Sequence, residues 1–157
     1  GRRAAKDAQS GMDQAKESIK DVVGARILLV EDNDMNQLVA SRILGNAGFL
    51  VTIAGNGAVG VDMVKNEEPF DLVLMDIQMP VMDGITATRQ IRELGFKDLP
   101  IVAMTAHAMS SDRELSLNAG MNDHINKPIN VQELFLTLAK WIQPKNVAKS
   151  ESSDQTN

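Results

Sequence analysis

An α/β fold, with a parallel sheet covered by helices on both faces, is predicted by three features of this 157-residue chain. Short apolar runs recur at Ile27–Val30, Leu50–Ala54, Leu72–Met75 and Ile101–Met104, and more weakly around His124–Ile125, with starts 23, 22, 29 and about 23 residues apart. The first, third and fourth runs show no polar alternation, as expected of strands buried on both sides. The stretches between runs carry helical spacing and end on residues that stop helices.

Each helix has its own signal. Met35, Leu38, Val39 and Ile43 stand at i, i+3, i+4 and i+8, and Val131, Leu134, Phe135, Leu138 and Ile142 at i, i+3, i+4, i+7 and i+11. Gly48, Gly95 and Gly120 sit where helices must stop, and Pro144 follows the last one. Gly55–Gly60 (GNGAVG) follows the second run rather than the first and lacks the GxGxxG register, so it reads as a loop and helix start, not a nucleotide cradle. Five strand-then-helix units match the flavodoxin-like doubly wound order 2-1-3-4-5. That assigns one domain to residues 26–143.

The flanks differ in composition. Ala5, Ala8, Met12, Ala15, Ile19 and Val22 alternate steps of three and four, the spacing of a coiled-coil seam, although the seam is mostly alanine. Residues 1–25 therefore read as a linker or a connecting helix from an upstream segment. The polar stretch 144–157 reads as a disordered tail.

Composition excludes several functions. The chain has no cysteine, so it offers no disulfide framework, thiol nucleophile or thiolate-bound zinc. No apolar run approaches the ~20 residues that span a bilayer, and membrane contact by this domain is not expected. Tyrosine is absent and only four Phe and one Trp are present, a poor base-stacking surface. Residues 26–143 carry nine Lys/Arg against fifteen Asp/Glu, a balance that repels nucleic acid.

Some of those carboxylates converge. In doubly wound sheets, ligands bind beyond the carboxyl ends of the strands where the strand order reverses, here between strands 1 and 3. Glu31 and Asp32 follow strand 1, Asp76 follows strand 3, Thr105 ends strand 4 and Lys127 follows strand 5. With strands ~4.8 Å apart, Asp32 and Asp76 come within bridging distance of one ion, and the Lys127 side chain covers much of the gap from strand 5. Clustered carboxylates need a compensating charge, and a hard cation such as Mg²⁺ suits oxygen ligands. A carboxylate, a cation, an ammonium and a hydroxyl around one point serve phosphoryl transfer, with a carboxylate able to act as nucleophile. Asp32-Asn33-Asp34-Met35-Asn36 starts like a calcium loop, but Gln37 replaces the required glycine and Ile43 the final glutamate.

VEDN (30–33), MDIQMPVMDG (75–84), MTAHAM (104–109) and NKPI (126–129) resemble the receiver domain of two-component response regulators over residues 26–143. The wording MPVMDG, AHAM and AGMNDHINKPI is most similar to receivers of hybrid sensor histidine kinases. The resemblance implies that Asp76 accepts a phosphoryl group from a histidine kinase or histidine phosphotransfer domain. It implies that Asp32, Glu31 (mainly through water), Asp76 and the Gln78 main-chain carbonyl hold Mg²⁺. Thr105 and Lys127 would bind phosphoryl oxygens, and small Ala106 would leave them accessible. His107 lies at a position that tunes hydrolysis. The family's switch position, often aromatic, is His124, and the Lys127–Pro128 bond is expected to be cis.

The expected function is thus a phosphorylatable, cytoplasmic signalling module that catalyses only its own phosphoryl acceptance and hydrolysis. Kinase motifs are absent from this chain. Two alternatives are a haloacid-dehalogenase-like phosphatase with Asp32 as nucleophile, and an adaptor that works without phosphorylation. Met75, Met79 and Met82 read as packing and loop filler rather than a metal site. Oligomeric state, cognate kinase and downstream output are not legible.

Overall fold

The computed structural model describes residues 11–77, 82–106, 114 and 117–143. Five parallel strands, β1 (Arg26–Val30), β2 (Leu50–Ala54), β3 (Leu72–Asp76), β4 (Ile101–Thr105) and β5 (Asp123–Asn126), form one sheet in the order β2-β1-β3-β4-β5. Between and after them lie α1 (Asp34–Asn46), α2 (Gly57–Asn66), α3 (Gly84–Glu93) and α4 (Val131–Trp141), with helical residues 114 and 117–119 between β4 and β5. The predicted order and every predicted strand are present. Residues 1–10 and the tail 144–157 lie outside the described residues.

The sheet divides the core by side-chain alternation. Ile27, Leu29, Leu72, Leu74, Val102 and Met104 face α1 and α4, while Leu28, Val30, Val73, Met75, Ile101 and Ala103 face α2 and α3. β3 and β4 are buried along their whole length and β1 along all but its first residue, so they can afford no polar side chain until their ends. β2 is an edge strand and leaves Leu50 and Ile53 exposed.

Local chemistry sets the helix limits. Asn33, Asn56, Asp83 and Asn130 cap α1 to α4, each accepting a hydrogen bond from the backbone N–H three residues on. Gly48, Gly95 and Gly120 adopt positive φ after helices, as expected for left-handed stops. GNGAVG is a loop and helix start: Gly57 and Gly60 sit against the Met82 carbonyl and Val30, where a β-carbon does not fit.

Residues 11–18 are helical, followed by turns to residue 24. Ala15, Ile19, Val22 and Ala25 are buried in the same cluster as Ala40 and Leu44 of α1 and Leu134 of α4. Ala15, Ile19 and Val22 of the seam are thus shielded by docking onto the sheet's helical layer, while Ala5 and Ala8 lie outside the described residues.

On the sheet's opposite end, Arg92 ties two loops together. Its guanidinium donates to the carbonyls of Phe96 (2.6 Å), Leu99 (2.7 Å) and Gly120 (2.7 and 3.0 Å), and to Asn122 Oδ1 (2.9 Å). Burial lowers its pKa, opposed by the charge of Asp98. Arg92→Ala strands these acceptors, and chemical denaturation should show a loss of about 2–3 kcal/mol. Arg92→Lys should recover little of it, because an ammonium cannot reproduce the fork.

Candidate functional site

The polar residues forbidden inside the sheet appear as each strand leaves it. Glu31 and Asp32 follow β1, Asp76 closes β3, Thr105 closes β4 and Lys127 follows β5. Parallel register aligns these exits: Val30 pairs with Met75, Asp76 with Met104, and Thr105 with Asn126. The Ile77 N–H donates to Met104 O and the Lys127 N–H to Thr105 O (2.9 Å), carrying the alignment one residue beyond the strands.

Glu31, Asp76 and Thr105 are buried, whereas Asp32 is exposed. One carboxylate oxygen from each of Glu31, Asp32 and Asp76 lies within 4.8 Å of the others, close enough for one cation to serve all three. The donor set is all oxygen, which fits a hard divalent ion and not a soft one. Lys127 Nζ stands 3.0 Å from Glu31 Oε1 and 3.0 Å from Asp76 Oδ2, bridging two strands' worth of negative charge.

Burial alone would lower the Lys127 pKa, but hydrogen bonds to Asp76 and Glu31, with their charges, raise it above the ordinary 10.5. A raised folded-state pKa means the pairing contributes its full stability below 10.5 and loses it as pH climbs through the higher folded value. The gap in melting temperature between wild type and Lys127→Met should therefore be flat from about pH 7 to 9 and narrow above 10.5. A constant gap into strong alkali would contradict the assigned pairing.

Supporting contacts were not evident from motifs. Gln37 Nε2 donates to Glu31 O (2.6 Å) and the Asn33 N–H to Glu31 Oε2 (3.2 Å), fixing the turn after β1. Glu133 Oε1 accepts from the Asn126 N–H (2.9 Å), holding the residue before Lys127. Gly84 lies so near the Asp76 carbonyl that no side chain is possible there. Only Glu133, as an acid in the first turn of a helix, had a recognisable local signal.

Of the expected residues, Glu31, Asp32, Asp76 and Lys127 come together, and Thr105 closes the neighbouring strand. Ala106 is exposed next to Thr105, the Lys127–Pro128 bond is cis, and His124 is half-buried in β5 opposite Ala103. Gln78, Met79 and His107 lie outside the described residues. Met75 and Met82 pack in the core cluster against α2 and α3, in keeping with a filling role. A cavity of about 420 Å³ opens beside the site, lined by Glu31, Asn36, Val39, Lys127, Pro128 and Ile129. No helix among the described residues is long and apolar enough to cross a membrane.

Comparison with known proteins gives a consistent result. The family model described as response regulator receiver domain matches residues 27–139. Two-component system protein A of Emericella nidulans is 44% identical over 117 residues, which cover 73% of this chain and 17% of that protein. Hybrid signal transduction histidine kinase I of Dictyostelium discoideum is 38% identical over 143 residues, covering 87% of this chain and 8% of that protein. The chain thus spans less than a fifth of the length of these curated relatives. Among solved structures, the receiver domain of the Pseudomonas aeruginosa sensor histidine kinase PA1611, with a magnesium ion coordinated in its active-site cleft, has a TM-score of 0.71 and 42% identity, covering 76% of this chain and 98% of that one. The Saccharomyces cerevisiae Ssk1 receiver domain, solved together with the histidine phosphotransfer protein Ypd1, has a TM-score of 0.73 and 30% identity, covering 80% of this chain and 92% of that one. Sequence, fold and the convergence of acids with a lysine at the strand ends agree that this chain belongs to the response regulator receiver domain family of two-component and phosphorelay signalling.

Proposed function

We propose that Asp76 accepts a phosphoryl group from a phosphohistidine of a histidine kinase or histidine phosphotransfer domain, with Mg²⁺ held by Glu31, Asp32, Asp76 and the Gln78 carbonyl. The observation that carries this reading is the meeting of three carboxylates and the Lys127 ammonium at the end of the central strand. Bound there, the metal supplies positive charge for the transferring oxygens.

The chain's own residues do the rest. An Asp76 carboxylate oxygen forms a bond to phosphorus as the donor's phosphorus–nitrogen bond breaks, and the electron pair returns to the imidazole. Lys127 exchanges its pairing with the Asp76 carboxylate for a phosphoryl oxygen, so its ammonium faces an anionic oxygen before and after transfer. The Thr105 hydroxyl donates to another oxygen, and Ala106 leaves room for the group and for the water that later hydrolyses it. His107 tunes that hydrolysis, and His124 follows Thr105 to reshape the face of β5 and α4. Lys127–Pro128 forms the site's outer wall.

The donor approaches over the first turns of α1, where Met35, Leu38 and Val39 are exposed beside the mouth of the site. Such a contiguous apolar edge next to reactive carboxylates suits a helical partner. The pairing of the similar Ssk1 receiver with a histidine phosphotransfer protein supports this choice of partner. The domain works in the cytoplasm, where such donors are phosphorylated.

Labelling with acetyl phosphate and mapping by mass spectrometry tests this function. Modification at Asp76 alone, abolished by EDTA, is the expected outcome. Modification at Asp32 with steady turnover of phosphate esters would instead indicate a phosphatase, and no modification at any carboxylate an adaptor.

A further inference from the structure

The α1 helix carries one apolar stripe with two different environments. Met35, Val39 and Ile43 recur every four residues and so lie along a single face. Val39 lines the cavity at the phosphoryl site, whereas Ile43 lines a second cavity of about 630 Å³ that it shares with Met12, Ile19, Val23, Val131 and Phe135. Half of the stripe is therefore open beside the site, and the other half lies under the chain's own residues 12–23.

That cover begins level with the site. Gly11 lies against the side-chain amide of Gln132, in the first turn of α4 and four residues after Pro128. A helix is ~10 Å wide with its side chains, and Val39 to Ile43 is only ~6 Å along the axis. A partner helix seated on Met35 and Val39 would run into the N-terminal helix. The cover is held mainly by small side chains. Its buried contacts are Ala15, Val22 and Ala25, with Ile19 the largest, and Met12 and Ile19 share the lining of a cavity with Ile43 and Phe135.

We propose that residues 11–22 form a displaceable strap that competes with the helical phosphodonor for the α1 stripe. This rests on Asp76 being the acceptor and on the donor docking over α1. The strap slows transfer from a protein donor and leaves reaction with a small donor untouched, because only the former needs the covered surface. Exclusion is reciprocal: whatever factor the docked strap takes from donor affinity, the bound donor takes from strap docking.

Two variants test it. Ile19→Asp puts a charge into the strap's buried contact and should release it. Transfer from phosphorylated Ypd1 should then rise at least about fivefold, the low end of common coupling between sites. Labelling by acetyl phosphate should stay at the wild-type rate. Gly11→Cys with Gln132→Cys locks the strap reversibly, since the chain has no other cysteine. The oxidised form should accept more slowly from Ypd1 than the reduced form and equally from acetyl phosphate. Equal transfer from Ypd1 to wild type, Ile19→Asp and both redox forms, including none to any, overturns the strap. Absence of acetyl phosphate labelling at Asp76 in the wild type overturns the acceptor reading instead.

Discussion

Asp76→Asn is expected to lower phosphoryl incorporation by at least about a thousandfold while leaving the fold intact. The carboxamide has nearly the same shape but no anionic oxygen to attack phosphorus. Asp76 is buried, its nearest acids are Glu31 and Asp32, and its Oδ2 faces Lys127 at 3.0 Å. In the variant, Lys127 keeps Glu31 as a partner at 3.0 Å, so no charge is stranded. Circular dichroism should match the wild type, and beryllofluoride should no longer shift the spectra of β4 and β5. Residual labelling at the wild-type rate would move the acceptor to Asp32. Asp32→Asn separates the two roles: it should weaken Mg²⁺ binding and slow labelling, yet leave the label on Asp76.

Gly84→Ala should be the most damaging added methyl among the described glycines. A β-carbon at Gly84 runs into the Asp76 carbonyl oxygen, and meets Met75 Cγ at 2.9 Å and the Asp76 carbonyl carbon at 3.0 Å. The obstacle is the backbone of the residue that takes the phosphoryl group, so it cannot swing aside as a flexible side-chain end could. Overpacking of this kind costs about 3 kcal/mol, and relief by moving the backbone would misaim Asp76. Both the denaturation midpoint and the labelling rate should fall. Gly45→Ala supplies the control, because nothing lies within 4 Å of a β-carbon there. In the last turn of α1, that change should stabilise by about 0.5 kcal/mol through helix propensity. The same substitution thus takes opposite signs at two glycines, according to what each backbone approaches.

How much was legible depended on whether a signal was local. Ile27–Val30, Leu72–Met75 and Ile101–Met104 announce themselves as strands because burial on both faces allows only apolar residues. The acids, hydroxyl and lysine were readable because each stands within two residues of the end of a strand run. Arg92 was silent, since its acceptors are backbone carbonyls, which no residue type advertises. Gln37 and Gly84 were silent for a similar reason: their roles depend on the carbonyls of Glu31 and Asp76. The N-terminal seam carried an ambiguous signal. Alanine spacing fits a marginal helix, and only the α1 and α4 surfaces opposite Ala15 and Ile19 determine that it docks.

The site's construction from strand exits also dictates when it can exist. Within this domain Glu31 and Asp32 leave the ribosome first, Asp76 next and Lys127 last, with β5 the last strand made. Until β5 pairs with β4, a nascent chain holds a cluster of carboxylates with no ammonium to offset them. Synthesis therefore delivers the repulsive charges first and their counterweight last, so a chain truncated before Lys127 should neither close its sheet nor take a label. Competence to receive a signal then reports that the domain's last strand is home.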